Sequence, residues 1–183
     1  MRLRPLLAAL LFSTLVLTIG DQFHVQFGVI RYVPPGPVFG QAWWVAPGFA
    51  AATIALVAFA WRFTHLPDSA TAASLGRDIA WFFASYAITG VAGRYGLTLA
   101  VLMLAANALY VARRPRWVWG FSLLLGVLGT LGELALHATG VCAYNYRELW
   151  LVPIWLPCLY FSGAPAALSL ARWCKERVAG YRL

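Results

Sequence analysis

Acidic side chains are scarce in this chain: six Asp and Glu stand against fourteen Lys and Arg in 183 residues. Charged residues of either sign make up only 11%, less than half the share of about 25% found in soluble domains. Too few polar side chains remain to cover a water-facing surface, which excludes a soluble enzyme or binding module. Cysteine is sparse as well. Cys142, Cys158 and Cys174 recur at an even spacing that suits neither a disulfide framework nor a zinc site, so they are expected to pack as small apolar residues. No HExxH helix, nucleophile elbow, phosphate-binding glycine loop or carboxylate dyad is present, and Ser85, Ser122 and Ser169 lack neighbours that would mark a nucleophile. No metal or other cofactor is expected.

What fills the chain instead is apolar. Residues of the set AVILMFWYC reach 62%, and the mean hydropathy is +0.73. A charge at the centre of a bilayer is costly, so charges mark the ends of spans. The uncharged stretches run from Arg4 to Asp21, Arg31 to Arg62, Asp78 to Arg94, Arg94 to Arg113, Arg116 to Glu133, and Glu148 to Arg172. The second opens with Pro34-Pro35-Gly36-Pro37, which delays its helix to about Gln41. The pattern predicts an all-α polytopic membrane protein of one domain, 1–183, with transmembrane helices near 5–27, 41–63, 77–94, 96–112, 117–139 and 153–175. Arg2 and Arg4 ahead of an apolar run imitate a secretory signal. No small-x-small cleavage site follows and the run leads into Asp21-Gln22, so it is expected to stay as the first helix.

Six spans place both termini on one side. That side collects Arg2, Arg4, Arg62, Arg77, Arg113, Arg114, Arg116, Arg172, Lys175, Arg177 and Arg182, leaving Arg31, Arg94 and Arg147 opposite. The positive-inside rule then predicts a multi-pass protein of the cell (inner) membrane with both termini cytoplasmic. The formal charge of +8 is therefore topological, its natural neighbour is anionic lipid, and nucleic acid is set aside as a partner. Trp43, Trp44, Trp150 and Trp155 flank helix ends on the outer side, and Trp61, Trp81, Trp117, Trp119 and Trp173 do so on the cytoplasmic side, as an aromatic belt would.

Polar groups inside the membrane are the places where chemistry could sit. Glu133 and His137 stand four apart and share a helix face; they read either as a mutually satisfied pair near the outer interface or as a proton-handling or headgroup site. Asp21, Gln22, His24 and Gln26 close the first helix, as an interfacial turn or as hydrogen-bonding groups for a lipid. Asn107 reads as interhelical glue or a ligand contact. Gly120, Gly126, Gly129 and Gly132 give the fifth helix small faces, Gly90, Gly93 and Gly96 suggest a tight outer turn around Arg94, and Pro157 and Pro165 are expected to bend the sixth.

Three stretches resemble the Insig family of sterol-regulated membrane proteins. Gln41-Ala42-Trp43-Trp44-Val45-Ala46-Pro47 is similar to that family's AWWVPP. Gly140-Val141-Cys142-Ala143-Tyr144 through Trp155-Leu156-Pro157-Cys158-Leu159-Tyr160-Phe161-Ser162-Gly163 is similar to GVYQY…WLPCIFFAGG, and Thr98-Leu99-Ala100 with the Arg113-Arg114-Pro115-Arg116 loop to TLAALSIGLWWTFDRSRSG. The likeness covers most of residues 6–175, and 13 Arg to 1 Lys points to a bacterial member. It implies six transmembrane helices, cytosolic termini, no catalytic activity, and binding of sterol and of membrane-protein partners; the animal proteins bind oxysterol, retain the SREBP cleavage-activating protein and deliver HMG-CoA reductase for degradation. The family's acid after the fourth helix is Val111 here, and a Trp on that helix is Asn107. The function expected is non-enzymatic sensing of an amphipathic membrane lipid, a sterol or a diacylglycerol-like molecule, with a homo-oligomer or another membrane protein as partner. Asp21, Gln22, Trp43, Trp44, Phe82, Tyr86, Asn107, Glu133, His137, Tyr144 and Trp155 are the candidate ligand-binding residues. The alternative is an intramembrane enzyme acting on a lipid or isoprenoid through Glu133 and His137.

Overall fold

A computed structural model describes residues 3–67 and 72–179. The chain is mostly helical. In order it forms α1 (Leu3–Gln26), β1 (Ile30–Tyr32), α2 (Val45–Trp61), a 3-10 turn (Ala72–Ser74), α3 (Leu75–Ala92), a second 3-10 turn (Gly93–Tyr95), α4 (Gly96–Val111), α5 (Arg116–Ala138), β2 (Cys142–Tyr144) and α6 (Leu156–Ala179). Among the described residues three segments are long and apolar enough to cross a membrane: Leu6–Gln26, Leu75–Val111 and Arg116–Ala138. The middle one contains α3 and α4, which are parted where Gly96 takes φ +37°, a conformation that side-chain-bearing residues rarely adopt. A Cβ there would also stand 2.8 Å from Glu148 Oε1.

Helix α6 lies at the centre and packs against each of the other helices. Every residue from 161 to 171 is buried. That explains its composition: Ser162, Gly163, Ala164, Pro165, Ala166 and Ala167 are small, and a helix enclosed by protein gains more from close approach than from greasy bulk. The outer faces carry the bulk instead. Leu97, Val101, Leu102 and Leu109 of α4 and Leu123, Val127 and Leu131 of α5 are all more than half exposed, as a lipid-facing surface requires.

The fold is not purely helical. β1 and β2 pair antiparallel, with Ile30 opposite Tyr144, Arg31 opposite Ala143 and Tyr32 opposite Cys142. Backbone bonds from Val33 N to Val141 O and from Asn145 N to Val29 O, each 2.9 Å, extend the pairing. The strands tie the α1–α2 connection to the α5–α6 connection, and they define one end of the bundle, the strand end. The opposite end, which carries Arg4, Arg62, Arg113 and Lys175, is the basic end.

Two further expectations need correction. Helix α2 begins at Val45 and not near Gln41, because residues 36–41 fold back on themselves through bridges Gly36 to Gly40 and Val38 to Gln41. Pro157 does not bend α6: it is the second residue of the helix, where a missing N–H is no loss, and only Pro165 lies in the interior. The expected aromatic belt also divides. Trp43 and Trp150 are 75% and 80% exposed, whereas Trp155 is 0% exposed and belongs to the core.

The four glycines of α5 divide in the same way. A Cβ on Gly129 would come within 2.2 Å of the Tyr160 ring and one on Gly126 within 2.9 Å of Pro157 O, while nothing lies within 4 Å of Gly120 or Gly132. Only the first two let α5 close onto α6. Gly129→Ala is therefore expected to destabilise by about 1–3 kcal/mol through overpacking. Gly132→Ala is expected to be neutral or slightly stabilising. Thermal unfolding of the two variants in detergent compares them; equal midpoints would contradict this account of the α5–α6 contact.

Candidate functional site

The polar residues of the strand end converge on one another. Asp21, one turn and a half before the end of α1, is 6% exposed. The Tyr32 hydroxyl from β1 reaches both of its carboxylate oxygens, at 2.9 and 2.8 Å. Gln41 Nε2 donates to Asp21 Oδ2 at 2.7 Å and to the Thr18 carbonyl at 3.0 Å. Tyr32 is fixed in turn by the edge of Trp44, 5.4 Å between centroids. A buried carboxylate is costly without donors, and the fold-back of residues 36–41 is what delivers Gln41 to this one. Gln22 and Gln26, on the exposed side of α1, donate to the Phe39 carbonyl at 3.4 and 3.1 Å, clamping the loop tip where Phe39 takes φ 48°.

One turn away His24 is 2% exposed, with its ring beside Tyr86 and Trp155 at 5.1 and 5.6 Å. Thr89 Oγ1 lies 2.9 Å from His24 Nε2 and donates its own proton to the carbonyls of Ser85 and Tyr86. The imidazole must therefore be the donor in that pair. Trp155 Nε1 donates to Gly93 O at 2.9 Å, which fastens α6 to the turn between α3 and α4.

Glu133 and His137 do share a face. His137 Nδ1 sits 2.8 Å from the Glu133 carbonyl and 3.4 Å from Glu133 Oε2. Tyr160 of α6 donates to Glu133 Oε1 at 2.6 Å. The His137 ring stacks on Tyr144 at 4.5 Å, and its Nε2 meets Cys142 Sγ at 3.5 Å. With Nδ1–H committed to a carbonyl, Nε2 accepts from the thiol. Burial first, and then the Glu133 and Asp21 carboxylates, push the Cys142 thiol up to about 12, so it stays protonated and packs as a small apolar residue.

Asn107 joins three helices, accepting from Trp81 Nε1 of α3 at 3.1 Å and donating to the Cys158 carbonyl of α6 at 2.8 Å. Phe82 meets Tyr86 edge-on at 5.3 Å and leans on Gly163, where a Cβ would lie 3.2 Å away. Of the candidate residues, Asp21, Tyr86, Tyr144 and Trp155 thus gather in and around one packed core with Trp44, Phe82, His137 and Glu133 at its edge. Trp43 stands apart on the surface, Gln22 serves the loop tip, and Asn107 lies nearer the middle of the bundle.

Two features escaped the sequence. Asp78, in the first turn of α3, is 0% exposed. Arg114 NH2 lies 2.7 Å from Asp78 Oδ1, Tyr110 donates to the same oxygen at 2.5 Å, and Ser169 of α6 and Ser74 both donate to Oδ2. The second is a groove of about 510 Å³ between α1, α2 and α6, running along the basic half of the bundle. Leu6, Leu7, Leu10, Ile54, Val57 and Trp61 are among its walls, with Thr53 as a polar point. The Thr53 hydroxyl is buried with no hydrogen-bond partner.

No family model matches the chain. It is 29% identical to the insulin-induced gene 1 protein of Homo sapiens over 144 residues, which is 74% of this chain and 52% of that protein. Against the Xenopus tropicalis counterpart it is also 29% identical, and the match spans 57% of that protein. The insulin-induced gene 2 protein of Gallus gallus is 28% identical over 172 residues, 88% of this chain and 75% of the relative. The crystal structure of a mycobacterial Insig homologue from Mycobacterium vanbaalenii superposes with a TM-score of 0.81 over 97% of both chains, at 24% identity. The chain resembles the Insig proteins in sequence and shares the fold of the mycobacterial homologue. A cross-linked trimer of a variant of the mycobacterial protein superposes equally well.

The match spans little more than half of the insulin-induced gene 1 relatives, and the fold agreement covers nearly all of the chain. Its polar candidates act as cross-helix fasteners, while its groove lies toward the other end, walled by α1, α2 and α6 and not by those residues. Asp78 and Arg114 are the buried ion pair of that end, with side chains 0% and 3% exposed. Asp78→Ala removes the buried carboxylate that Arg114, Tyr110, Ser74 and Ser169 all meet and should cost about 3–5 kcal/mol. Adding Arg114→Met should restore part of that loss, and thermal unfolding of the single and double variants checks the order. For Cys142, maleimide at pH 8 should label only the denatured protein; rapid labelling of the folded Cys142 would overturn its assignment as a protonated core residue.

Proposed function

We propose that this Insig-like protein is a non-enzymatic membrane regulator that senses an amphipathic lipid through the groove between α1, α2 and α6. In this reading residues 1–183 form one domain of six transmembrane helices in the inner membrane of a bacterium, with both termini cytoplasmic. The 17-residue α2 and the enclosed α6 cross despite being short or only weakly apolar, because neighbouring helices cover what lipid would not tolerate. The groove is the observation that carries the proposal. A volume of about 510 Å³ falls within the range of small-molecule sites, roughly 300–1,000 Å³. Leucine, isoleucine and valine walls with one orphan hydroxyl suit a ligand that is apolar with few oxygens, such as a sterol or a diacylglycerol-like lipid.

Asp21, Gln22, Trp44, Tyr86, Asn107, Glu133, His137, Tyr144 and Trp155 are assigned here to the frame and not to direct ligand contact. Asp21, Asn107, Glu133, His137 and Trp155 already meet partners of their own, and breaking those pairs would cost a ligand affinity; Gln22 donates to the Phe39 carbonyl of the loop tip while its Oε1 is left unpaired. Phe82 belongs to the same frame, and Trp43 to the membrane interface. Because α6 walls the groove and also holds the bonds to Asp78, Asn107 and Glu133, with Trp155 directly ahead of it bonded to Gly93, a lipid wedged against it would shift the helix ends together. Such a shift biases affinity for a membrane-protein partner or for further copies of the chain.

Ile54 lines the groove yet is 57% exposed, so a larger side chain there fills the groove without entering the core. Native mass spectrometry of the protein purified from membranes in mild detergent should show a retained lipid that Ile54→Trp removes and Thr53→Val weakens. Retention of the same lipid by Ile54→Trp, at an unchanged melting temperature, would refute this site.

A further inference from the structure

We infer that the groove is built for a phosphate-bearing lipid, its headgroup held at the mouth by Arg4, Arg62, Lys175 and Arg177; this rests on the reading that the groove holds a lipid. The mouth can be located from the chain. Arg4 stands two residues before Leu6 on α1, Arg62 directly follows Trp61 at the end of α2, and Lys175 directly follows Cys174 on α6, where Leu6, Trp61 and Cys174 all line the groove. Three helices therefore each carry a cation close to a residue that lines this end of the groove. All four cations are exposed. Glu176 is the carboxylate of that stretch of α6.

These cations differ from others at the basic end. Arg114 is spent on Asp78, Arg77 lies 3.7 Å from the same carboxylate, and Arg172 donates to the Leu66 carbonyl. At the mouth, no ion pair engages Arg4, Arg62, Lys175 or Arg177 among the described residues. Lys175 makes one neutral bond, to Thr64 Oγ1 at 3.1 Å, and Arg177 lies over the Trp173 ring at 5.5 Å. Arg113 and Arg116 are likewise exposed, but neither they nor their neighbours in sequence line the groove. They provide a control for charge without a cavity.

The second observation lies inside. Thr53 is 6% exposed, lines the groove and has a hydroxyl with no partner. It stands eight residues before Trp61, about 12 Å along a helix rising 1.5 Å per residue. A molecule that meets cations at the mouth, apolar walls along its body and one donor deeper in is a lipid with an anionic head and an ester or hydroxyl oxygen below it. A neutral glyceride would satisfy the walls and leave the cations unused.

The test compares two probes that differ by the phosphate alone: phosphatidic acid and diacylglycerol of identical acyl chains, each titrated against the full chain in phosphatidylcholine nanodiscs and read by native mass spectrometry. Phosphatidic acid should bind at least ten-fold more tightly. A membrane-surface cation contributes about 1 kcal/mol toward an anionic lipid, so each cation removed should weaken it about five-fold. Arg62→Gln with Lys175→Gln should then cost about 25-fold for phosphatidic acid and little for diacylglycerol, while Arg113→Gln with Arg116→Gln should leave both unchanged. Equal binding of the two lipids, both lost in Ile54→Trp, would overturn the phosphate assignment and leave the groove standing. Indifference of both lipids to Ile54→Trp would remove the groove as well. An equal loss in the Arg113 and Arg116 control would mean a diffuse basic surface, and displacement by inorganic phosphate alone would mean an anion site without a lipid; either result overturns the inference.

Discussion

Between the helices of this bundle there is no water to complete a hydrogen bond, so a polar side chain placed there must be met by another segment of the same chain. Much of the architecture follows from that constraint. Asp21 requires donors, and Tyr32 and Gln41 supply them only because the chain after α1 makes a strand and then folds back before α2 starts. Glu133 draws Tyr160 across from α6, Asn107 links α3 to α6, and Asp78 gathers Arg114, Tyr110, Ser74 and Ser169 from four separate places. Each is a point where a slip of one helix past another would strand a buried polar group. Apolar packing in lipid gives little preference for one register over another, since the lipid tails are as apolar as the side chains. The polar fasteners supply that preference.

The central place of α6 follows from the same logic. It is the helix most often used as partner: Ser169 serves Asp78, the Cys158 carbonyl serves Asn107 and Tyr160 serves Glu133, while Trp155, directly ahead of the helix, reaches Gly93. Small residues along its length let the others come close enough for those bonds to be direct. Gly129 and Gly126 on α5 are the complementary concession, each at a spot where α6 presents a ring or a carbonyl. A helix held at so many points moves as one body, which is what a regulator needs if an event on one flank is to be felt at both ends of the bundle.

Much of the helical order was legible in the sequence, because charges bracket apolar runs and a bilayer fixes their length. The pairing of Glu133 with His137 was legible too, since four residues on a helix place two side chains together whatever the tertiary structure. Long-range choices were not. Nothing local tells Gln41 to leave the helix and bond Asp21 twenty residues earlier, and no periodicity announces that Ile30–Tyr32 will pair with Cys142–Tyr144. Asp78 was read as a boundary marker, because a carboxylate beside Arg77 at a helix start looks like an interfacial charge. Its burial depends on Arg114 and Ser169, which lie 36 and 91 residues away. The Trp residues show the same limit: Trp150 and Trp155 stand five apart and look alike in sequence, yet one is at the surface and the other is at the core.

The groove breaks the rule of internal satisfaction, and that is why it draws attention away from the polar core. At the strand end every candidate acid and imidazole has found its partner inside the protein. Along α1, α2 and α6 the walls are left apart and the Thr53 hydroxyl is left alone, although a threonine in a helix can usually bond a carbonyl one turn back, as Thr18, Thr89 and Thr130 do. An unpaired buried hydroxyl costs on the order of 1–3 kcal/mol, a large fraction of what holds a small domain together. Thr14, Gln22 and Ser122 also keep a buried polar atom without a partner, but Thr53 is the one that lines unfilled apolar walls, and that is why the proposed ligand is placed there while the acids and histidines are assigned to the frame.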